Sequence, residues 1–241
     1  MSASTAQAAP LPGQGTWELT LKARDIDGYA VALDDHRAAF FYDATLDVTW
    51  LADWNASAGT PYDDAGLFDE TTNDGLLSVE NARQWAAKLP YFGGDWRLPA
   101  ITGPLDLRLS FIGGTDHGYN VRINSSELAH MWYVTLGNRV YTDPLGLTYP
   151  IGWGHSNSAY FRNIMPRSYR VEVIPDQEVL FEFSMSDGGQ GFTPRGVTLP
   201  VVALRDGDVL VVPEPEHYLL YLVGTTMVLL AARRRGSSRQ I

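Results

Sequence analysis

Apolar residues first alternate at Thr16-Trp17-Glu18-Leu19-Thr20-Leu21, the period of a half-buried strand. Ala38-Ala39-Phe40-Phe41-Tyr42 is a short apolar and aromatic run, and Leu46-Asp47-Val48-Thr49-Trp50-Leu51 alternates again with β-branched residues. Asp25-Ile26-Asp27-Gly28 and Asp34-Asp35 read as turns between them. Residues 53–76 are rich in Gly, Asp, Thr and Asn and read as a long loop. The period then becomes helical. Within Leu77–Leu89, the residues Val79, Ala82, Trp85, Ala86 and Leu89 form one apolar stripe, Ser78 is placed to cap it, and Pro90 stops it. A second helix is expected over Ser126–Leu136, with Leu128, Met131 and Trp132 towards a core and Gly137-Asn138 at its end. Strand patterns return at Tyr169–Ile174, Glu178–Met185, Thr198–Arg205 and Val209–Val212, with turns at Asp187–Gly189 and Arg205–Asp208. The order predicts a single α+β domain over residues 17–211 with long loops, and no linker divides it. Residues 1–16, small and rich in Pro and Gly, are expected to be a disordered remnant of a signal or cleavage region.

Composition narrows the function. Of 241 residues, 45% are hydrophobic and 12% aromatic, enough for a sizeable core. There is no cysteine, which removes disulfides, thiolate metal sites and cysteine nucleophiles together. Net charge is -10, and with the last 30 residues set aside 14 basic side chains face 26 acidic ones. A body of that sign repels phosphate backbones, so no nucleic-acid partner is expected.

The C-terminal part has its own pattern. Tyr218–Ala232 carries no charge, and as a helix its 15 residues rise about 22 Å against a hydrocarbon thickness of about 30 Å. Glu216 and His217 on one side, and the arginines on the other, can extend it at the interfaces. A transmembrane helix is therefore expected over 217–232, followed by a basic tail, 233–241. Arg233, Arg234 and Arg235 act as a cytoplasmic stop and place the body outside. Such a body needs an export signal, yet MSASTAQAAP has no charged start and no apolar stretch. Ala6-Gln7-Ala8 fits a signal-peptidase site, so the economical reading is that Met1 is not the natural start.

Val212-Pro213-Glu214-Pro215, an apolar span and an arginine cluster resemble a PEP-CTERM sorting tail. The resemblance implies export in a Gram-negative bacterium, a transient stay in the inner membrane, cleavage by an exosortase near Pro-Glu-Pro, and delivery to surface or biofilm material. Two prolines hold the acid in an extended segment that a protease can bind. A permanent membrane anchor, leaving a periplasmic scaffold or sensor, is the alternative.

The body carries a second resemblance. Its motifs run in order through Arg24–Gly28, Tyr42-Asp43, Leu46–Asp53, the Ala82–Trp85 helix, Asp95-Trp96-Arg97-Leu98-Pro99, Ser126-Glu127-Leu128-Ala129-His130, Val134–Asn138, Phe161–Ile164, Phe181–Gly191 and Arg205–Val209. Together they resemble the Lcl_C-type domain of bacterial collagen-like adhesins, over about 24–211. That likeness implies a C-type-lectin-like fold with no established activity, and members have been implicated in binding sulfated polysaccharide. Trp96, Arg97, Leu98, Pro99, Glu127 and Leu128 are the structural motif it marks. The chain departs from the pattern at Tyr169-Arg170-Val171, where an inner aromatic has become a cation. Either a ligand surface or a packing position is altered there.

Candidate chemistry is sparse. Arg97 is the residue type that binds carboxylate or sulfate. The plainer expectation is that Trp96 and Leu98 face the core while Arg97 pairs with an internal acid such as Glu127. Asp25, Asp27, Asp63 and Asp64 are weak calcium candidates, since Asp25-Ile26-Asp27-Gly28 is half of a calcium loop and Asp63, Asp64, Asp69, Glu70, Asn73 and Asp74 share the long loop. No cofactor is otherwise expected. The five histidines show neither zinc spacing nor a nucleophile–base arrangement, so no residue is assigned a catalytic role. Trp132, Tyr149 and Trp153 are the aromatics that could stack on sugars. The expected function is an exported, exosortase-sorted surface or biofilm-matrix protein with a non-catalytic body that binds polysaccharide. An enzyme acting on extracellular polysaccharide is the more distant alternative.

Overall fold

The computed structural model describes residues 9–66, 71–148, 151–174 and 178–210. By packing, the chain divides into two units, Met1–Val209 and Leu210–Ile241, and the architecture here is that of the first.

Strands β1 (Leu21–Arg24), β2 (Phe40–Asp43), β3 (Val48–Leu51) and β12 (Leu204–Asp206) form an antiparallel sheet in the order β1-β2-β3-β12. Its middle strands, β2 and β3, are buried on both faces. On β2, Phe41 enters a main core with Trp50, Trp54 and Phe161, whereas Phe40 enters a second cluster with Leu51, Trp85 and Trp96. Two buried faces explain why β2 reads as a short apolar and aromatic run. Trp50 and Trp54 stack at 5.7 Å, and Trp54 meets Phe161 and Tyr169 edge-on.

A six-stranded mixed sheet has the order β5-β8-β9-β10-β7-β6, from β5 (Ala100–Thr102), β6 (Leu109–Ser110), β7 (His117–Gly118), β8 (Ser168–Ile174), β9 (Phe181–Ser184) and β10 (Gln190–Phe192). The β5·β8 and β6·β7 pairs are parallel and the others antiparallel. Tyr169, Val171 and Val173 of β8 point into the main core. Their neighbours Arg170 and Glu172 take the opposite face, as the period of two requires. A small pair, β4 (Leu76–Leu77) with β11 (Leu199–Pro200), completes the strands.

Helix α2 (Val79–Ala87) forms as its pattern predicts. Ser78 Oγ accepts a hydrogen bond from Asn81 N, and Val79, Ala82, Trp85 and Ala86 are buried. The second expected helix is much shorter. α3 (Glu127–His130), capped by Ser126 Oγ on Ala129 N, runs for one turn and widens into a π turn over Met131–Thr135 that buries Met131 and Trp132. The expected strand at 16–21 begins instead as a helical turn, α1 (Trp17–Thr20). Thr16 O accepts from both Leu19 N and Thr20 N, and this turns Leu19 out to 86% exposure while Trp17 stays buried.

The α+β expectation is therefore corrected. Among the described residues the fold is β-rich, with twelve strands and one helix longer than a single α turn. Seven of those strands span two or three residues, too few to show alternation in a sequence. The expected transmembrane helix receives no support: no described helix is long and apolar enough to cross a membrane. Residues 217–232, the motif Val212–Pro215 and Arg233–Arg235 lie outside the described residues.

Of the N-terminal stretch expected to be disordered, residues 9–16 are described and run against the π turn. Leu11 N donates to Asn157 Oδ1, and Gln14 Nε2 donates to Ser156 Oγ. Gly15 lies so close to Gly137 that a Cβ on either would fall 2.4 Å from the other's backbone neighbourhood, so the crossing requires glycine on both sides.

Candidate functional site

Two clusters hold the chemistry-bearing residues. The first is the conspicuous motif. Trp96 and Leu98 are buried, and Arg97 pairs its backbone with Leu204 in both directions, at 2.8 and 2.9 Å. Its guanidinium meets Glu127 through two parallel bonds, Nη1 to Oε2 at 2.8 Å and Nη2 to Oε1 at 2.7 Å. Nη2 also reaches Asp206 Oδ1 at 2.6 Å, and Glu127 Oε2 accepts from Ala100 N at 2.7 Å. Burial pulls the Arg97 pKa down, but the two carboxylates outweigh it and push the pKa above the ordinary arginine value. Leu128 is fully buried in the main core, and Pro99 O accepts from Glu172 N. Here the sequence places β5, α3 and β12 around one clasp, and its cation is committed internally.

Of the calcium candidates, Asp25, Asp63 and Asp64 cap turns, whereas Asp27 takes part through its backbone N–H. Asp25 Oδ1 accepts from Asp27 N and Tyr29 N, Asp63 Oδ2 from Gly59 N and Gly75 N, and Asp64 Oδ1 from Ser78 N. The other oxygen of Asp63 is buried without a partner, as is Oδ1 of Asn55. Among the described residues no three acids or histidines gather into a metal-binding group. Asp69 and Glu70 lie outside the described residues. His155 Nε2 lies 2.7 Å from Ser158 Oγ, a pairing that sequence spacing did not suggest. Ser158 is fully buried, His155 Nδ1 has no partner, and burial holds the imidazole down to about 4 as it stacks on Trp132. A nucleophile needs access and an oriented base, and this pair has neither. Arg170 is a packing position: it is 1% exposed, donates Nη2 to Val197 O at 2.6 Å, and leaves Nε and Nη1 unpartnered. Burial lowers its pKa, against the pull of Glu172 and Glu182.

The second cluster is built from loops. Phe111, Tyr119, Tyr141 and Trp153 form a row with successive ring centroids 5.6, 5.8 and 5.1 Å apart. Its two ends are exposed, Phe111 at 48% and Trp153 at 43%. The backbone fixes each ring. Asn120 Nδ2 donates to Phe111 O and to Thr142 O, tying the segment after β6 to the hairpin that closes at the Thr142–Thr148 bridge. Asp143 Oδ1 accepts from Leu145 N and Leu147 N inside that hairpin. The Arg139–Gly154 bridge, with Gly154 N on Arg139 O at 2.7 Å, sets Trp153 against Tyr141. Gly118 permits the β6·β7 pairing itself, because a Cβ there would lie 1.9 Å from Ser110 O.

Two depressions flank the row. A cleft of about 830 Å³ is lined by Asn120, Arg122, Tyr133, Asn138 and Arg139 among others. Arg122 is paired with the buried Asp116. The Tyr133 hydroxyl donates to Gly188 O at 2.5 Å, and burial raises the phenol's pKa. A smaller groove of about 390 Å³ contains Phe111, Tyr119, His117, Glu182 and Asp187. Burial and the Asp187 carboxylate push the Tyr119 phenol up to about 12, so it stays a donor, 3.2 Å from Asp187 Oδ2. An apolar, concave surface edged with amides and hydroxyls suits a ligand with C–H faces and a polar rim.

Of the aromatics singled out from sequence, Trp153 belongs to this row, Trp132 is fully buried, and Tyr149 lies outside the described residues. Phe111, Tyr119 and Tyr141 were not singled out. Their one signal is position, as aromatics set among Gly, Asn and Asp with no alternating partners. Compared with family models, with curated proteins and with solved structures, the chain matches none.

Proposed function

We propose that this domain is the non-catalytic, polysaccharide-binding body of an exported surface or biofilm-matrix protein. The observation that carries the reading is the aromatic row, whose rings are tilted or edge-on to one another and whose exposed ends, Phe111 and Trp153, offer apolar surface to pyranose C–H groups. Nucleic-acid bases also stack on aromatics, but the body's excess of acids opposes a phosphate backbone. The Val212–Pro215 pattern supports export and sorting by an exosortase, with the inner membrane as a transient stop. The test is isothermal titration with a panel of polysaccharide fragments, using the wild type, Trp153→Ala and Tyr141→Ala. The expected result is binding by the wild type that both variants lose. Binding unaffected in both, or no fragment bound, overturns the reading.

One observation favours a hydrolase: Glu182 and Asp187 share the smaller groove. Both are already accepting, Glu182 from Ser168 Oγ at 2.9 Å and Asp187 from Gly189 N and the Tyr119 hydroxyl. New reducing ends released from a bound polymer by the wild type, and not by Glu182→Gln, would replace the non-catalytic reading.

A further inference from the structure

We infer that a pocket beside the antiparallel sheet binds a single α-amino acid with an apolar side chain, Asp53 receiving its ammonium and Arg162 its carboxylate. This pocket is independent of the polysaccharide reading: among the described residues it shares no lining with either depression beside the aromatic row. Two stretches far apart in the chain, residues 46–53 and 161–164, meet there. Arg162 N donates to Ala52 O at 2.7 Å and Trp54 N to Arg162 O at 2.9 Å, a parallel bridge that sets Arg162 beside Asp53. Asp53 Oδ1 accepts from Asn55 N and from Asn163 Nδ2, both at 2.9 Å. These bonds fix the carboxylate and leave Oδ2 without a hydrogen bond among the described residues. Arg162 Nη1 donates to Ala38 O at 2.8 Å, the one bond its guanidinium makes among the described residues. No ion pair there joins Asp53 to Arg162, or either of them to another charge. Asp53 does act on the buried Tyr169 phenol, but that group is kept neutral and is no counter-ion.

Both side chains line an otherwise apolar cavity of about 290 Å³. Phe40 of β2 and Leu51 of β3 are its buried residues, half-buried Leu89 and Tyr91 follow α2, and Ile26 is 51% exposed. The Phe40 and Tyr91 rings meet edge-on at 5.3 Å. The volume stands at the lower edge of ordinary ligand pockets, about 300–1,000 Å³, and so suits one small molecule and not a polymer. Charge then selects the class. A simple carboxylic acid answers Arg162 and is repelled by Asp53, and a simple amine meets the reverse. A zwitterion with both groups on one carbon answers the two residues together, across a gap they do not close themselves. Its apolar side chain displaces water from Phe40, Leu51 and Leu89.

The experiment is isothermal titration of the full-length chain with L-leucine and L-phenylalanine, each beside its deaminated and its decarboxylated analogue, and with glycine. At least one of the two amino acids is expected to bind about tenfold or more tighter than its analogues and than glycine. Asp53→Asn keeps the Oδ1 acceptor, and should bind that amino acid no better than the deaminated analogue. Arg162→Gln should bind it no better than the decarboxylated one. Ala56→Phe fills the pocket from an exposed position on its lining, and should abolish binding with an unchanged melting curve. Either analogue binding as tightly as its parent, binding that survives Ala56→Phe, or no binding of either amino acid overturns the inference. Each of these results leaves the polysaccharide reading where it stood.

Discussion

At Arg97 a guanidinium, two carboxylates and three backbone groups satisfy one another, whereas the row from Phe111 to Trp153 ends in exposed rings. The first region has the residue types of a binding site and the bonding of a fastener. The second lies in loops that suggest little in sequence and keeps its contact capacity open. The contrast teaches that a functional surface is found where strong groups or apolar faces lack internal partners, and that a dense motif in sequence is a poor guide to it.

The largest expected effect separates the two regions outright. Glu127→Ala strands Arg97 and removes the acceptor of Ala100 N, so chemical denaturation is expected to show a loss of about 2–4 kcal/mol. Sugar binding, measured where that variant is still folded, remains. Loss of binding at unchanged circular dichroism would make the clasp part of the site and break the comparison.

A pH titration sharpens it next. His155 sits at about 4 in the folded state because of burial, against about 6.5 in an unfolded chain. The unfolded chain binds more protons between those values, so stability is full above pH 6.5 and falls as the pH drops towards 4. His155→Gln is expected to recover about 2–3 kcal/mol of that fall. His130, lowered by burial against the pull of Asp43, leaves a smaller slope in the same direction. An unchanged slope in His155→Gln would show that His155 is not the titrating group.

Arg170→Met tests a buried cation whose Nε and Nη1 lack partners. An apolar side chain of similar length should raise stability by about 1–2 kcal/mol in a urea melt, without changing affinity for sugar. A loss of binding would return Arg170 to the ligand surface. Trp153→Ala should be the mildest of all for the fold, at about 0.5 kcal/mol, because the ring lies on the exposed end of its row. Its effect belongs to binding.

Much of the scaffold was legible. The helix at Val79–Ala87 carries a cap, a stripe and a proline stop, the strand at Phe40–Asp43 an apolar run and the strand at Val48–Leu51 an alternation, each a signal summed over several residues. Arg97 with Glu127 was legible as a residue type seeking its opposite. The helical turn at Trp17 was not, because Trp17, Leu19 and Leu21 alternate on paper while a turn held by Thr16 O expels Leu19. Nor were β6 and β7, whose pairing depends on one missing Cβ at Gly118. The aromatic row is assembled by side-chain bonds from Asn120 and Asp143 across distant loops, and no local period encodes such a crossing.

The position of β12 has a mechanical consequence. It is an edge strand, zipped to β3 alone within its sheet. Tension drawn along the chain from the C-terminal side meets the buried Val209 and the Arg24–Asp208 pair before it reaches β12, and would then peel the strand from β3 one pair at a time. Arg97 grips β12 on its other flank, through the Leu204 backbone and the Asp206 carboxylate. The clasp thus works as a rivet across the seam, and because Leu204 pairs with Trp50 inside the main core, loosening β12 would open the tryptophan core in the same step.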